Sequence, residues 1–259
     1  MLRLKDKVAL VTGGSKGLGE ADVRRFLAEG ASVVIGDVDT VAGENLAREL
    51  GHDAHFVSLD VRSEENFAAV IEGVMAQFGQ LDILVNNAGV IELGTPEAVT
   101  ESDYRFIMAV SVDGTVFGCK HAIPAMRRSG GGSIINMASI ASVQGVPFFA
   151  AYSAAKGAVE AYTRAVSVYC TTNKLPIRCN SIHPGIFATP MHKLIGEKMA
   201  KASVGGPSEV YKERPKNPVG DPDEVALLAT FLASDESRYI TGQRFVIDNG
   251  GVVTPNGTG

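Results

Sequence analysis

Hydrophobic positions along the chain alternate between two rhythms. Short runs rich in β-branched residues, "KVALVT" (7–12), "SVVIGD" (32–37), "AHFVSLD" (54–60), "LDILVN" (81–86), "GSIINMA" (132–138), "IRCNSIH" (177–183) and "RFVIDN" (244–249), read as strands. Between them, apolar residues recur at helical spacing over 17–29, 40–50, 63–78, 101–128, 152–173 and 222–234. This βαβ alternation predicts parallel pairing, and right-handed crossovers then lay helices on both faces of one sheet. The expected fold class is α/β: a single doubly wound domain over 1–259 with a seven-stranded parallel sheet, since no linker, composition shift or repeat marks a second domain.

One segment breaks the rhythm. Residues 188–220, "ATPMHKLIGEKMAKASVGGPSEVYKERPKNPVG", mix a possible short helix with Gly, Pro and Lys, and they follow the sixth strand. Ligands of such sheets bind beyond the carboxyl ends of the strands, so this insertion is a candidate lid.

Composition narrows the choice of partners. A formal net charge of -5 argues against a general nucleic-acid binder and favours a small-molecule partner. No run approaches about 18 apolar residues and the N-terminal one is too short for a signal peptide, so no membrane partner and a cytoplasmic location are expected. Cys119, Cys170 and Cys179 show no CxxC spacing and read as packing residues. His52 and His55 share the "LGHDAHF" link, which reads as solvated loop, and no metal site is expected.

The glycine-dense stretch "TGGSKGLGE" (12–20) after the first strand fits three chemistries. A P-loop would align Gly14 with Gly19 and then demand Lys and Ser or Thr, where this chain has Glu20 and Ala21. A nucleophile elbow, GxSxG, matches "GGSKG" with Ser15 as nucleophile, but normally follows later strands. A dinucleotide loop uses its glycines to let the backbone approach a pyrophosphate at a helix N-terminus, here as Gly13, Gly17 and Gly19. Asp37, ending the second strand, favours this last reading, because an acid there accepts hydrogen bonds from an adenosine ribose and repels a 2'-phosphate.

Tyr152 and Lys156 in "YSAAK" stand four apart on one helical face, and Ser139 lies thirteen positions earlier at a strand end. In this context the chain resembles the short-chain dehydrogenase/reductase family. The resemblance runs through "TGGSKGLG", Asp37, "LDV" (59–61), "NNAG" (86–89), Ser139, "YSAAK", "NSIHPG" (180–185) and Thr189, in family order. Within it, "GGSIINMAS", "NSIHPGIFATPM" and "FLASDES" look most like bacterial hydroxysteroid dehydrogenases of the 3β/17β kind.

The resemblance implies a Rossmann-type fold, bound NAD, and interconversion of a secondary alcohol with its ketone. Tyr152 would be the general base, its phenol lowered from about 10 by Lys156 and the charged nicotinamide. Ser139 would hydrogen-bond the substrate oxygen. Gly13, Ser15, Lys16, Gly17, Leu18 and Gly19 would seat the pyrophosphate, and Asp37 and Val38 the adenosine ribose. Asp60 and Val61 would contact the adenine, Asn87, Ala88 and Gly89 the ribose side, Lys156 the nicotinamide ribose, and Pro184, Gly185, Ile186 and Thr189 the carboxamide. Family members usually carry Asn where Ser111 stands, holding a water that relays protons through the lysine, so the relay is expected to be modified here.

Lys16, just before Gly17, is a residue often basic in NADP-dependent relatives, whereas Asp37 points to NAD. Val146, Phe148, Phe149, Met191 and Leu194 would give apolar walls suited to a bulky alcohol, with Val146, Phe149 and Met191 touching substrate. Lys193, Lys198, Lys201, Lys212, Arg214 and Lys216 outnumber Glu197, Glu209 and Glu213 in the insertion, a field that would attract an acidic side chain. Two other readings stand beside the hydroxysteroid: a dehydrogenase of another secondary alcohol or a 3-oxoacyl thioester reductase, and a non-catalytic NAD-binding scaffold. Relatives commonly form homotetramers on the helices near 101–128 and 152–173.

Overall fold

A computed structural model describes residues 2–201 and 219–253. All seven predicted strands are present: β1 (Val8–Thr12), β2 (Ser32–Asp37), β3 (Ala54–Ser58), β4 (Ile83–Asn86), β5 (Gly132–Met137), β6 (Ile177–Pro184) and β7 (Arg244–Ile247). They form one parallel sheet in the order β3-β2-β1-β4-β5-β6-β7. The order reverses between β1 and β4, which opens a crevice at the carboxyl ends of those two strands.

The strand period of two sorts β1 cleanly between the faces. Ala9 and Val11 point into a core with Val23, Phe26, Val225 and Leu232, while Val8 and Leu10 join Phe67, Ile71, Met126 and Val166 on the other side. The first face is covered by α1 (Gly17–Ala28), α2 (Thr40–Leu50) and α8 (Pro222–Ala233), the second by α3 (Glu64–Phe78), α5 (Gly114–Arg128) and α6 (Ala150–Thr172). Helix starts follow capping chemistry: Asp39 accepts from the Ala42 N–H, Ser63 from Asn66, and Asp221 with Glu224 closes a capping box behind Pro222.

The predicted helix over 101–128 is interrupted in register. After α4 (Glu101–Met108) the backbone widens into a π-helical stretch, Ala109–Asp113, before α5 resumes, and Ser111 sits buried inside it. By length and composition this is the one helix among the described residues that could cross a membrane, but Cys119, Ala122, Ala125 and Met126 are fully buried against the sheet. All three cysteines are buried, Cys119 and Cys179 against the Asn86–Asn136 pair. His55, expected in a loop, lies on β3 with its ring edge against Phe78, because the strand begins at Ala54 directly after an exposed turn.

The insertion is pinched at its base. Ala188 N–H donates to Gly220 O at 3.0 Å and Gly220 N–H to Ile186 O at 2.9 Å. Its short helix is real, α7 (Pro190–Lys201), while 202–218, with Lys212, Arg214 and Lys216, lies outside the described residues.

Candidate active site

The β1–β4 crevice widens into a cleft of about 1190 Å³. At one end the glycine loop turns tightly. Gly13 has φ +61°, and a Cβ there would stand 2.9 Å from Ala88 Cα; a Cβ on Gly19 would stand 2.2 Å from Gly13 O. Only glycine fits either place. Lys16, at the N-cap of α1, offers no side-chain cap, so the first-turn amides are left for another acceptor. Thr12 ties this loop to β4, its Oγ1 accepting from Asn87 N–H at 3.1 Å and Ala88 N–H at 3.0 Å. The Asn87 amide in turn donates to Thr12 O and Gly13 O, so this side chain holds the loop instead of facing a ligand with free donors.

Asp37 is oriented by the loop it faces. Its Oδ2 accepts from the Ser15 N–H at 3.1 Å and the Ser15 hydroxyl at 2.5 Å, and its Oδ1 from the Asp39 N–H at 3.0 Å. Lys16 forms an ion pair with Asp39, which raises the ammonium pKa and lowers that of the carboxylate. Asp60 is held by Arg62 at 2.7 Å, and the guanidinium keeps its carboxyl below the usual range.

At the other end, β5 runs out into Ser139, whose extended backbone caps a single 3-10 turn, Ile140–Ser142. Its Oγ accepts from the Ala141 N–H at 3.1 Å, so the serine's own proton stays available to donate. Ser139 lies beside Tyr152 in the cleft, the two brought together by the end of β5 and the first turn of α6. Lys156 Nζ lies 5.6 Å from the Tyr152 ring centroid and donates to Met137 O at 2.7 Å. All three are buried.

The expected lowering of the tyrosine is reversed in the protein alone. Burial pushes the Tyr152 phenol up to about 12, with the Ser139 hydrogen bond working downward, and burial pushes Lys156 down to about 8. Both neutral forms are favoured because each ion would lose its hydration in the same pocket.

Of the residues singled out in the sequence, Gly13, Ser15, Lys16, Gly17, Leu18, Asp37, Val38, Asp60, Val61, Asn87, Ala88, Gly89, Ser139, Val146, Phe149, Tyr152, Lys156, Pro184, Gly185, Ile186, Thr189 and Met191 line this one cleft. Gly19 lies beneath the loop, and Ser111 sits behind Gly89, its buried hydroxyl without a hydrogen-bond partner. Phe148 and Leu194 are not wall residues: Phe148 O accepts the Gly94 N–H at 2.9 Å, tying the loop after β4 to the start of α6, and Leu194 is 42% exposed. Ile91 and Ile195 complete the apolar wall instead, packed with Val146, Phe149, Met191 and Tyr152. Neither carried a sequence signal, since each is an ordinary apolar residue until α7 folds across the loop after β4. An ion pair of Lys198 with Glu92 spans the same contact.

A glycine cradle at a helix N-terminus, continuous with a buried Ser–Tyr–Lys group, is the site of a nicotinamide-dependent oxidoreductase. The residues fit the dinucleotide, since the first turn of α1 has no side-chain cap and the cleft runs unbroken from this loop past Asp37 to Tyr152. The chain belongs to the short-chain dehydrogenase/reductase family: a family model described as enoyl-(acyl carrier protein) reductase matches residues 13–251. It is 41% identical to a 3-beta-hydroxysteroid dehydrogenase of Comamonas testosteroni over 95% of this chain and 96% of that protein. It is 38% identical to a 3-alpha-(or 20-beta)-hydroxysteroid dehydrogenase of Mycobacterium tuberculosis, covering 96% and 91%. An NADP-dependent (R)-specific alcohol dehydrogenase of Lentilactobacillus kefiri shares 36% over 96% and 97%.

Proposed function

We propose that the protein is an NAD-dependent dehydrogenase interconverting a secondary alcohol and its ketone, with a hydroxysteroid as substrate. The observation that carries this reading is the buried Ser139, Tyr152 and Lys156 group lining one cleft with apolar Ile91, Val146, Phe149, Met191 and Ile195. Two of the relatives above act on hydroxysteroids, in keeping with a wide apolar wall.

A nicotinamide dinucleotide held by the glycine loop, Asp37, Lys156 and Thr189 would supply hydride-transfer chemistry at the alcohol or carbonyl carbon. Ser139 donates its proton to the substrate oxygen. Tyr152 takes the hydroxyl proton in oxidation and gives it back in reduction. Because burial, against the downward pull of Ser139, holds this phenol at about 12, its ionisation at neutral pH depends on cationic neighbours, and among the described residues Lys156 supplies one. Ser111, with its unpartnered hydroxyl beside Gly89 and Lys156, would hold a relay water. Asp37 and Asp39 leave Lys16 facing two carboxylates, which supports NAD over a 2'-phosphorylated cofactor.

The same reading takes the chain as one domain, working as a cytoplasmic homotetramer with α7 as part of a lid. Val168 and Tyr169 on α6, 64% and 54% exposed, are apolar surface that assembly would cover. Turnover of steroids, simple alcohols and acyl thioesters with both cofactors, read by NADH absorbance, tests the proposal. Tyr152→Phe should abolish turnover while NADH still binds. Preference for acyl thioesters would replace the steroid by the thioester reading, and silence on every substrate would leave an NAD-binding scaffold.

A further inference from the structure

His183 is fully buried on β6, one residue before the Pro184–Ile186 segment, and the sequence reading assigned it nothing. Its ring is bonded at both nitrogens. Nε2 lies 2.9 Å from Ser181 Oγ, and Nδ1 lies 2.9 Å from Ser142 Oγ and 3.2 Å from Ser139 O. A carbonyl oxygen can only accept, so Nδ1 carries the proton and Nε2 accepts from Ser181.

The Ser139 carbonyl also receives the Ser142 hydroxyl at 2.8 Å and the Ser142 N–H at 3.0 Å. Ser142 has a single proton, however, and its hydroxyl also lies 2.9 Å from the His183 Nδ1 and beside the Glu160 carboxylate on α6. The Nδ1–H of His183 is therefore the side-chain donor that steadies this carbonyl beside the Ser142 N–H. The peptide it holds is the one that follows Ser139, and a rotation of that carbonyl would swing the Ala141 N–H off the Ser139 Oγ. A lone 3-10 turn of three residues has little rigidity of its own.

We propose that His183 is a positioning residue: through the Ser139 carbonyl it fixes the turn that aims the Ser139 hydroxyl at Tyr152 and the substrate oxygen. The proposal rests on the reading of Ser139 and Tyr152 as the catalytic pair. It differs from a packing role in requiring the Nδ1–H, and in acting only while Ser139 has a hydroxyl to aim.

The test combines His183→Leu and His183→Asn with Ser139→Ala, scored by kcat on the best alcohol, with NADH affinity followed by fluorescence. His183→Leu should lower kcat about 10- to 100-fold, the scale of a small misplacement, with NADH affinity held. His183→Asn, whose amide N–H stands in for Nδ1–H, should recover most of that. In the Ser139→Ala background His183→Leu should cost less than about 3-fold, because the two act as one unit. Equal losses in both backgrounds, or an unchanged kcat, overturn the proposal. Nitrogen-15 NMR of the wild-type histidines judges it without turnover: a neutral, Nδ1-protonated His183 is expected, and an Nε2–H ring overturns it even if every substrate fails. Failure of the wild type on all substrates, with the Nδ1–H ring present, sinks the catalytic reading instead.

Discussion

Replacing Lys156 by Met should remove activity and at the same time stabilise the cofactor-free protein at neutral pH. The ammonium is 3% exposed and burial moves its pKa from 10.5 to about 8. A lysine lowered in the fold is held more tightly by protons in the unfolded chain, so stability rises with pH between about 8 and 10.5 and is at its lowest below that window. At about 1.4 kcal/mol per unit, the shift corresponds to about 3 kcal/mol of destabilisation at pH 7. Methionine of similar length removes this, and loses the Met137 O hydrogen bond, worth ~1 kcal/mol. The net gain is about 2 kcal/mol at pH 7. Guanidinium unfolding of both proteins at pH 7, 8, 9 and 10 measures it, and groups common to both cancel in the difference. Tyr152, raised to about 12, is neutral in the fold and contributes a loss of stability only above its unfolded value of 10. The advantage of the variant should stay flat up to about pH 8 and then shrink towards pH 10. A difference that does not change with pH would refute the buried-ammonium argument, as would a variant about 2 kcal/mol less stable at pH 7.

Asp37→Asn keeps an acceptor oxygen for only one of the Ser15 and Asp39 N–H groups and removes the charge, so the kcat/KM ratio of NADP to NAD should rise on the order of 100-fold; an unchanged ratio would show that Asp37 does not face the 2' position. Ser111→Asn should keep or raise turnover, since a longer amide reaches further toward the relay water beside Lys156, and a large loss in steady-state kcat would contradict the relay. Gly19→Ala puts a Cβ at 2.2 Å from Gly13 O, so NADH binding by fluorescence titration should fall at least about 10-fold, and tight binding would mean the loop can shift.

Much of the site was legible because its parts are backbone-dictated. A glycine is demanded at Gly13 by a positive φ and at Gly19 by a carbonyl against its Cα, and Tyr152 and Lys156 share a face by helical geometry alone. What stayed hidden depends on contacts between distant segments. Nothing local to Ser111 signals the π-helical stretch that holds it, and nothing local to Asn87, which lines the cleft, signals that its amide also bonds Thr12 O and Gly13 O. Phe148 and Leu194 looked like wall residues by composition, but which way each points is set by the tie between Gly94 and Phe148 and by the rotation of α7.

By itself, then, the sequence determined the parallel sheet and its seven strands, which follow from periodicity, and the loop that suits a dinucleotide, which follows from glycine spacing together with Asp37, while the Ser139–Tyr152–Lys156 group was legible through the resemblance to the short-chain dehydrogenase/reductase family. Only the tertiary structure decided the direction of the Tyr152 and Lys156 shifts, the pairing of Lys16 with Asp39, the Ile91–Ile195 wall and the place of His183 behind Ser139. The physical reason is common to them: desolvation and hydrogen-bond partners belong to the packed environment, which segments distant in the chain create together, as Lys16 and Asp39 do across 23 residues and His183 and Ser139 across 44.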